Sequence, residues 1–168
     1  MKLRVVGLLA LVLFTACGKK EAQKVEVDAY MAGLLDGQYE NQLGMMLFDP
    51  AQIPALLSYA DDGREIHPPT NPLSSFHSQC SLGMYALWMI EGIRVAEGGN
   101  GKVKASFGYP SLNPLLFDQQ ADALIYYGVE AYPATQRKAA EAYRLWWNSG
   151  EFSQIKTKDP LDGSGLSW

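Results

Sequence analysis

Cysteine and histidine are nearly missing from this chain of 168 residues, which has two of each: Cys17, Cys80, His67 and His77. Structural zinc generally needs four such ligands, and His77-x-x-Cys80 has no second pair to complete it, so neither a metal centre nor any other cofactor is expected. Asp61, Asp62 and Glu65 are acids that could in principle complete an open catalytic site. Also missing are a glycine-rich phosphate loop, a Gly-x-Ser-x-Gly elbow and a His-Glu-x-x-His helix, which argues against the common kinases and hydrolases. Positive charge is scarce too: 14 basic residues face 18 acidic ones, a formal charge of -4. An acidic surface disfavours nucleic acid. The apolar run at the N-terminus, Val5 to Phe14, is too short for a stable transmembrane span.

What is present begins with a leader. Lys2 and Arg4 precede that apolar run, and Ala16 stands before Cys17, the order of a secretion signal. Leu13-Phe14-Thr15-Ala16-Cys17 resembles a bacterial lipobox, in which the cysteine is diacylated and becomes the mature N-terminus. Residues 1–16 are therefore expected to be a signal peptide and 17–25 a lipidated cysteine with a polar tether. Acyl chains contribute roughly 0.8 kcal/mol per buried methylene, so Cys17 would hold the protein to a membrane. Gly18 after it fits outer-membrane sorting. Removing Lys2 and Arg4 leaves 12 basic against 18 acidic residues, a charge of -6. Lipidation of Cys17 would also leave Cys80 without a partner for a disulfide.

The body, 48% hydrophobic and 11% aromatic, can fill one ordinary core. Residues 26–155 are expected to form a single all-α domain of about five helices, arranged as an irregular HEAT-like array or a bundle with long proline-rich loops. Val27, Tyr30, Met31, Leu34 and Leu35 share one helical face, and Gly37 is placed to cap it. Asp49-Pro50 is a favoured helix start, but Pro54 implies either a separate first turn or a kink. Ser81 to Ala96 is apolar on nearly every side, which predicts a helix buried on nearly every side, capped by Ser81. Val103, Ala105 and Phe107 alternate weakly, as an extended segment would. Asp118 to Ala131 reads as another helix, broken at Tyr132-Pro133. A last helix follows from Thr135, with Ala139, Tyr143, Trp146 and Trp147 at helical spacing. Residues 156–168 are expected to be loosely ordered.

Two places could hold chemistry. Glu91 and Arg94 lie three apart on the apolar helix and so share a face. They are either a structural ion pair or the lining of a cleft closed by the 67–77 loop, where partial burial would suit Glu91 to acid–base work. Cys80, near a helix start and three residues from His77, is either a small buried hydrophobe or a nucleophile with His77 as its base. His67 stands in the same proline-rich loop. The aromatics of the second half would stack on sugars or anchor a protein if exposed, and adjacent Trp146 and Trp147 must point in different directions.

The strings DPAQIPALLSYADD (Asp49 to Asp62), Asn71-Pro72-Leu73-Ser74-Ser75, Cys80-Ser81-Leu82-Gly83, Leu87-Trp88, Ile90-Glu91-Gly92-Ile93-Arg94 and Tyr109-Pro110-Ser111-Leu112 resemble a family of uncharacterised Bacteroidetes lipoproteins, a domain of unknown function. The likeness covers roughly residues 26–150. It implies envelope localisation and a small helical domain, and it transfers no catalytic residue. The expectation is a lipid-anchored cell-envelope protein acting as a protein-interaction module. The alternatives are an envelope hydrolase built on Glu91 or the His77/Cys80 region, and a glycan-binding lipoprotein.

Overall fold

Val27, Tyr30, Met31 and Leu34 are all buried, forming the inner face of a first helix, α1, described over residues 21–35. Gly37 takes a φ of 70°, the left-handed conformation in which glycine ends helices most readily. The computed structural model describes residues 21–168 apart from 41, 45, 47, 71–78, 99–110 and 151. The leader, Cys17, His77 and the alternating 103–107 segment lie outside the described residues. Residues 21–24, expected to be part of a tether, are already helical.

Pro54 does not kink a longer helix. A 3₁₀ turn, Pro50–Gln52, comes first, and helix α2 follows as Ile53–Leu57. Asp49 starts the turn with a capping box: its Oδ1 accepts from the Ala51 amide at 2.8 Å, and Gln52 Oε1 accepts from the Asp49 amide at 2.8 Å. Strand β1, Glu65–Ile66, then pairs antiparallel with β2, Cys80–Ser81, and β2 runs directly into α3, Leu82–Gly98. From Leu82 to Ile93 every residue of α3 is buried, as a helix with no polar side must be.

The all-α expectation is overturned. Among the described residues about 48% helix and 12% strand, with two small antiparallel sheets, make this a mixed α/β domain and not an all-α HEAT-like array. Residues 118–131 are not a helix. Leu116–Asp118 (β3) and Ala123–Ile125 (β4) form a hairpin, with Leu116 opposite Ile125 and Asp118 opposite Ala123. Asp118 caps the turn and not a helix, its Oδ1 accepting from the amides of Gln120 and Ala121 at 2.8 and 3.1 Å. Such a local bond offers the backbone an alternative to helix. Asp122 closes the turn at a φ of 50°, a region that Asp tolerates better than most residues.

Tyr132-Pro133 begins the next helix instead of breaking one. Helix α4 is Tyr132–Asn148, with Pro133 in its first turn, where proline loses no intrahelical bond. Thr135 lies inside α4, its hydroxyl donating to the Ala131 carbonyl at 2.9 Å. A short α5, Phe152–Ile155, follows, and then β5, Leu166–Ser167, which pairs with β3 to give the sheet order β4-β3-β5. The tail beyond residue 156, expected to be loose, therefore contributes a strand, and Leu161 and Leu166 are buried in the core.

Candidate functional site

Glu91 is 4% exposed, on the inner side of α3. Arg94, one turn on, forks over its carboxylate: Nη2 donates to Oε1, and Nε donates to Oε2 at 2.9 Å. The Tyr143 hydroxyl, reaching from α4, donates to the same Oε2 at 2.7 Å. Trp168 Nε1 in turn donates to the Tyr143 oxygen at 2.8 Å, and Arg94 Nη1 donates to the Lys156 carbonyl at 3.3 Å. The partners thus come from α3, α4 and the tail. Burial raises the Tyr143 phenol well above its ordinary value, with the adjacent Glu91 charge acting the same way. The group is a satisfied buried ion pair, and α3, α4 and the tail meet on it.

A second buried polar cluster sits at the start of α3. Ser81, wholly buried, caps the helix by accepting from the Met84 amide at 3.1 Å, while its hydroxyl donates to Gln136 Oε1 at 2.7 Å. The Ser81 amide donates to the Tyr132 hydroxyl at 2.9 Å. Gln136 Nε2 donates to the carbonyls of Ala60 and Asp62 at 3.0 and 3.2 Å. The amides of Leu82 and Gly83 donate to the carbonyls of Arg64 and Asp62, each at 2.8 Å. These bonds satisfy donors that a helix N-terminus otherwise leaves open. A Cβ on Gly83 would stand 2.5 Å from the Ala60 carbonyl oxygen, so only glycine lets these backbones approach.

Cys80 is fully buried in β2 as a free thiol, and burial pushes its pKa far above the ordinary value. A reactive cysteine needs the opposite, a stabilised thiolate. His67 is exposed, its Nε2 3.2 Å from Gln79 Nε2. Among the described residues no group of three or more His, Cys, Asp or Glu side chains is placed to hold a metal ion. Glu91 and Cys80 are sealed in the core, so neither offers the open concave site that the hydrolase alternative requires.

The concave surface nearest these buried bonds lies over Tyr132. It is a cleft of about 390 Å³ whose lining includes Gly63, Tyr127, Val129, Tyr132, Pro133 and Gln136. The rings of Tyr127 and Tyr132 meet edge to face at 82°, with centroids 5.2 Å apart, and not side by side in one plane as a glycan platform would have them. Val129 in the cleft wall is 42% exposed, and Leu124 and Tyr126, which precede the cleft residues in the chain, are 45% and 43% exposed. Leu124 and Tyr126 are two apart in extended chain and so share a face. Trp146, by contrast, is buried and Trp147 half-buried.

Sequence reasoning missed Tyr132, Gln136 and the cleft they floor, and it missed Trp168. A signal existed for the first pair. Placing the α4 start at Pro133 puts Tyr132 and Gln136 four apart on one face. Nothing in the sequence joins Trp168 to Glu91. A family model described as "Domain of unknown function (DUF4943)" matches residues 21–168. No curated protein and no solved structure matches the chain.

Proposed function

The chain belongs to that family of domains of unknown function, and from that premise we propose that it is a cell-envelope protein, lipid-anchored at Cys17 in the outer membrane, whose folded part serves as a protein-interaction module. The single observation that carries the interaction reading is the Tyr127–Pro133 cleft itself, walled by Tyr127 and by Val129, which is 42% exposed. Tyrosines at a concavity are among the commonest anchors of protein partners. The ionisable groups that could have supported catalysis are engaged inside the core: Glu91 on Arg94 and Tyr143, and Cys80 under complete burial. Support for anchoring is the charged, apolar, small-residue, cysteine order of residues 2–17. No helix among the described residues is long and apolar enough to cross a membrane, so under this reading the acyl chains alone hold the protein there.

A photo-crosslinking amino acid at Tyr126 in the full-length protein, expressed in its own envelope, tests the module. One protein adduct is expected, and Val129→Asp should abolish it. Saturable binding of envelope glycan with no protein adduct at this position would overturn the reading in favour of the glycan alternative. For the anchor, Cys17→Ala should move the protein from the membrane to the soluble fraction.

A further inference from the structure

The sheet order β4-β3-β5 leaves one side of β4 without a neighbouring strand among the described residues. An open edge presents a row of backbone N–H and C=O groups, a template for another chain, and proteins blunt such edges with charge, proline or twist. The other strands here are blunted. β5 follows Gly163 and Gly165, at φ of 76° and 75°; β1 carries an exposed Glu65 next to Arg64, and both residues of β2 are buried. β4 has no such protection. Its Ala123 and Leu124 are exposed, and from Ala123 to Val129 there is neither a charge nor a proline, the composition of segments that pair readily with copies of themselves.

Only another extended backbone matches the donors and acceptors of such an edge. An antiparallel pairing of β4 with itself is self-complementary about a two-fold axis, and the charge pattern selects where that axis falls. With the axis at Ile125, Asp122 faces Gly128 of the second copy and Glu130 faces Gln120, so no acid meets an acid. Moving the axis one residue either way sets Glu130 against Asp118 or against Asp122, in a chain whose formal charge is already -4. The same register places Leu124 opposite Tyr126 of the second copy, twice over. That pair extends the row in which Phe117 already stands opposite Leu124, an aliphatic–aromatic arrangement favoured across strands. Counting on, Ala121 meets Val129, which brings the exposed 119–122 turn of each copy to the mouth of the other's Tyr127–Pro133 cleft. Stable dimers bury about 1,200–2,000 Å² in all, more than so short a strand supplies, and the pairing is accordingly weak and reversible.

We propose that the partner of the interaction module is a second copy of this chain, joined antiparallel along β4 so that the two sheets become one, with the 119–122 turn of each copy at the cleft of the other. The proposal rests on the interaction-module reading and does not need the lipid anchor. Because the pairing uses up the β4 edge of both copies, the assembly closes at two.

The test uses two differently tagged full-length copies co-expressed in their own envelope in a Cys80→Ala background, one with Leu124→Cys and the other with Tyr126→Cys. Mild oxidation should form a mixed disulfide between positions 124 and 126, mapped by mass spectrometry, several-fold faster than it joins Leu124→Cys to Leu145→Cys, a control position that is 66% exposed on α4. Equal rates, or a faster link to 145, would overturn the assignment. The photo-crosslinking residue at Tyr126 separates the two failures. An adduct to a different protein retains the module and defeats the second copy, whereas the absence of any protein adduct defeats both.

Discussion

Glu91 shows why a charged residue in an apolar helix is a poor pointer to catalysis. Removing water from a carboxylate costs several kcal/mol even after relaxation, and here Arg94 and Tyr143 offset that cost with three donated bonds. Glu91→Gln should therefore destabilise the fold by about 1–3 kcal/mol, because the partly buried Arg94 loses its counter-charge. Tyr143→Phe should cost about 1–2 kcal/mol, leaving the Trp168 indole N–H without its acceptor. Replacing Glu91 and Arg94 together by leucine should cost well under the sum of the single changes. Urea unfolding of these three variants and of the two single leucine variants measures all of this, and additive losses in the double variant would contradict the pairing. Gly83→Ala forces a methyl to within 2.5 Å of a backbone oxygen and should cost about 1–3 kcal/mol by the same measurement.

At the scale of elements, the sheet β4-β3-β5 depends on a strand taken from the far end of the sequence. Deleting residues 159–168 removes β5, the buried Leu161 and Leu166, and the Trp168 bond to Tyr143. Full burial of each such aliphatic side chain contributes about 1.5–3 kcal/mol, so the truncated chain should lose its near-ultraviolet dichroism while keeping much of its helical signal. Retention of both signals would refute this role. The same sheet marks where sequence reading stops. Helices α1 and α3 were legible because their apolar spacing and caps are local: Val27 to Leu34 on one face, and Ser81 before a run with no polar side. The β3–β4 hairpin was not, since Ala121, Leu124, Ile125 and Gly128 imitate helical spacing and the competing Asp118 turn is a matter of two amides. Tyr132-Pro133 was read as a stop although proline serves equally well as a start. At the candidate site, the three-residue spacing of Glu91 and Arg94 was visible, but Tyr143 and Trp168, which decide what that pair does, lie 52 and 77 positions beyond Glu91.

For the whole molecule, the buried hydroxyls and thiol set an alkaline limit. Tyr59, which donates to Asp28, is held up to about 12 from an ordinary 10.0, chiefly by burial. Burial likewise raises Tyr132, Tyr143 and Cys80. Each of these groups binds its proton more tightly folded than unfolded. Their contribution is thus fully present below the unfolded values, 9.0 for the thiol and 10.0 for the phenols, and is lost as pH rises beyond them. The buried groups Cys80, Tyr132 and Tyr143 each add a slope of about 1.4 kcal/mol per pH unit above the unfolded value, and the more exposed Tyr59 adds less. Thermal midpoints should hold steady up to pH 9 and fall steeply above it, with phenolate absorbance from Tyr132 and Tyr143 appearing only on unfolding. A gradual rise of that absorbance while the protein stays folded would contradict their burial.

The strand and indole that residues 159–168 supply have one more consequence, which concerns when the domain folds. A nascent chain that has not yet produced those residues has β3 with one open edge and a Tyr143–Glu91 pair without its indole donor, and long-range pairings of this kind form slowly. The native core is thus completed only once residues 159–168 have been made, however early the helices form.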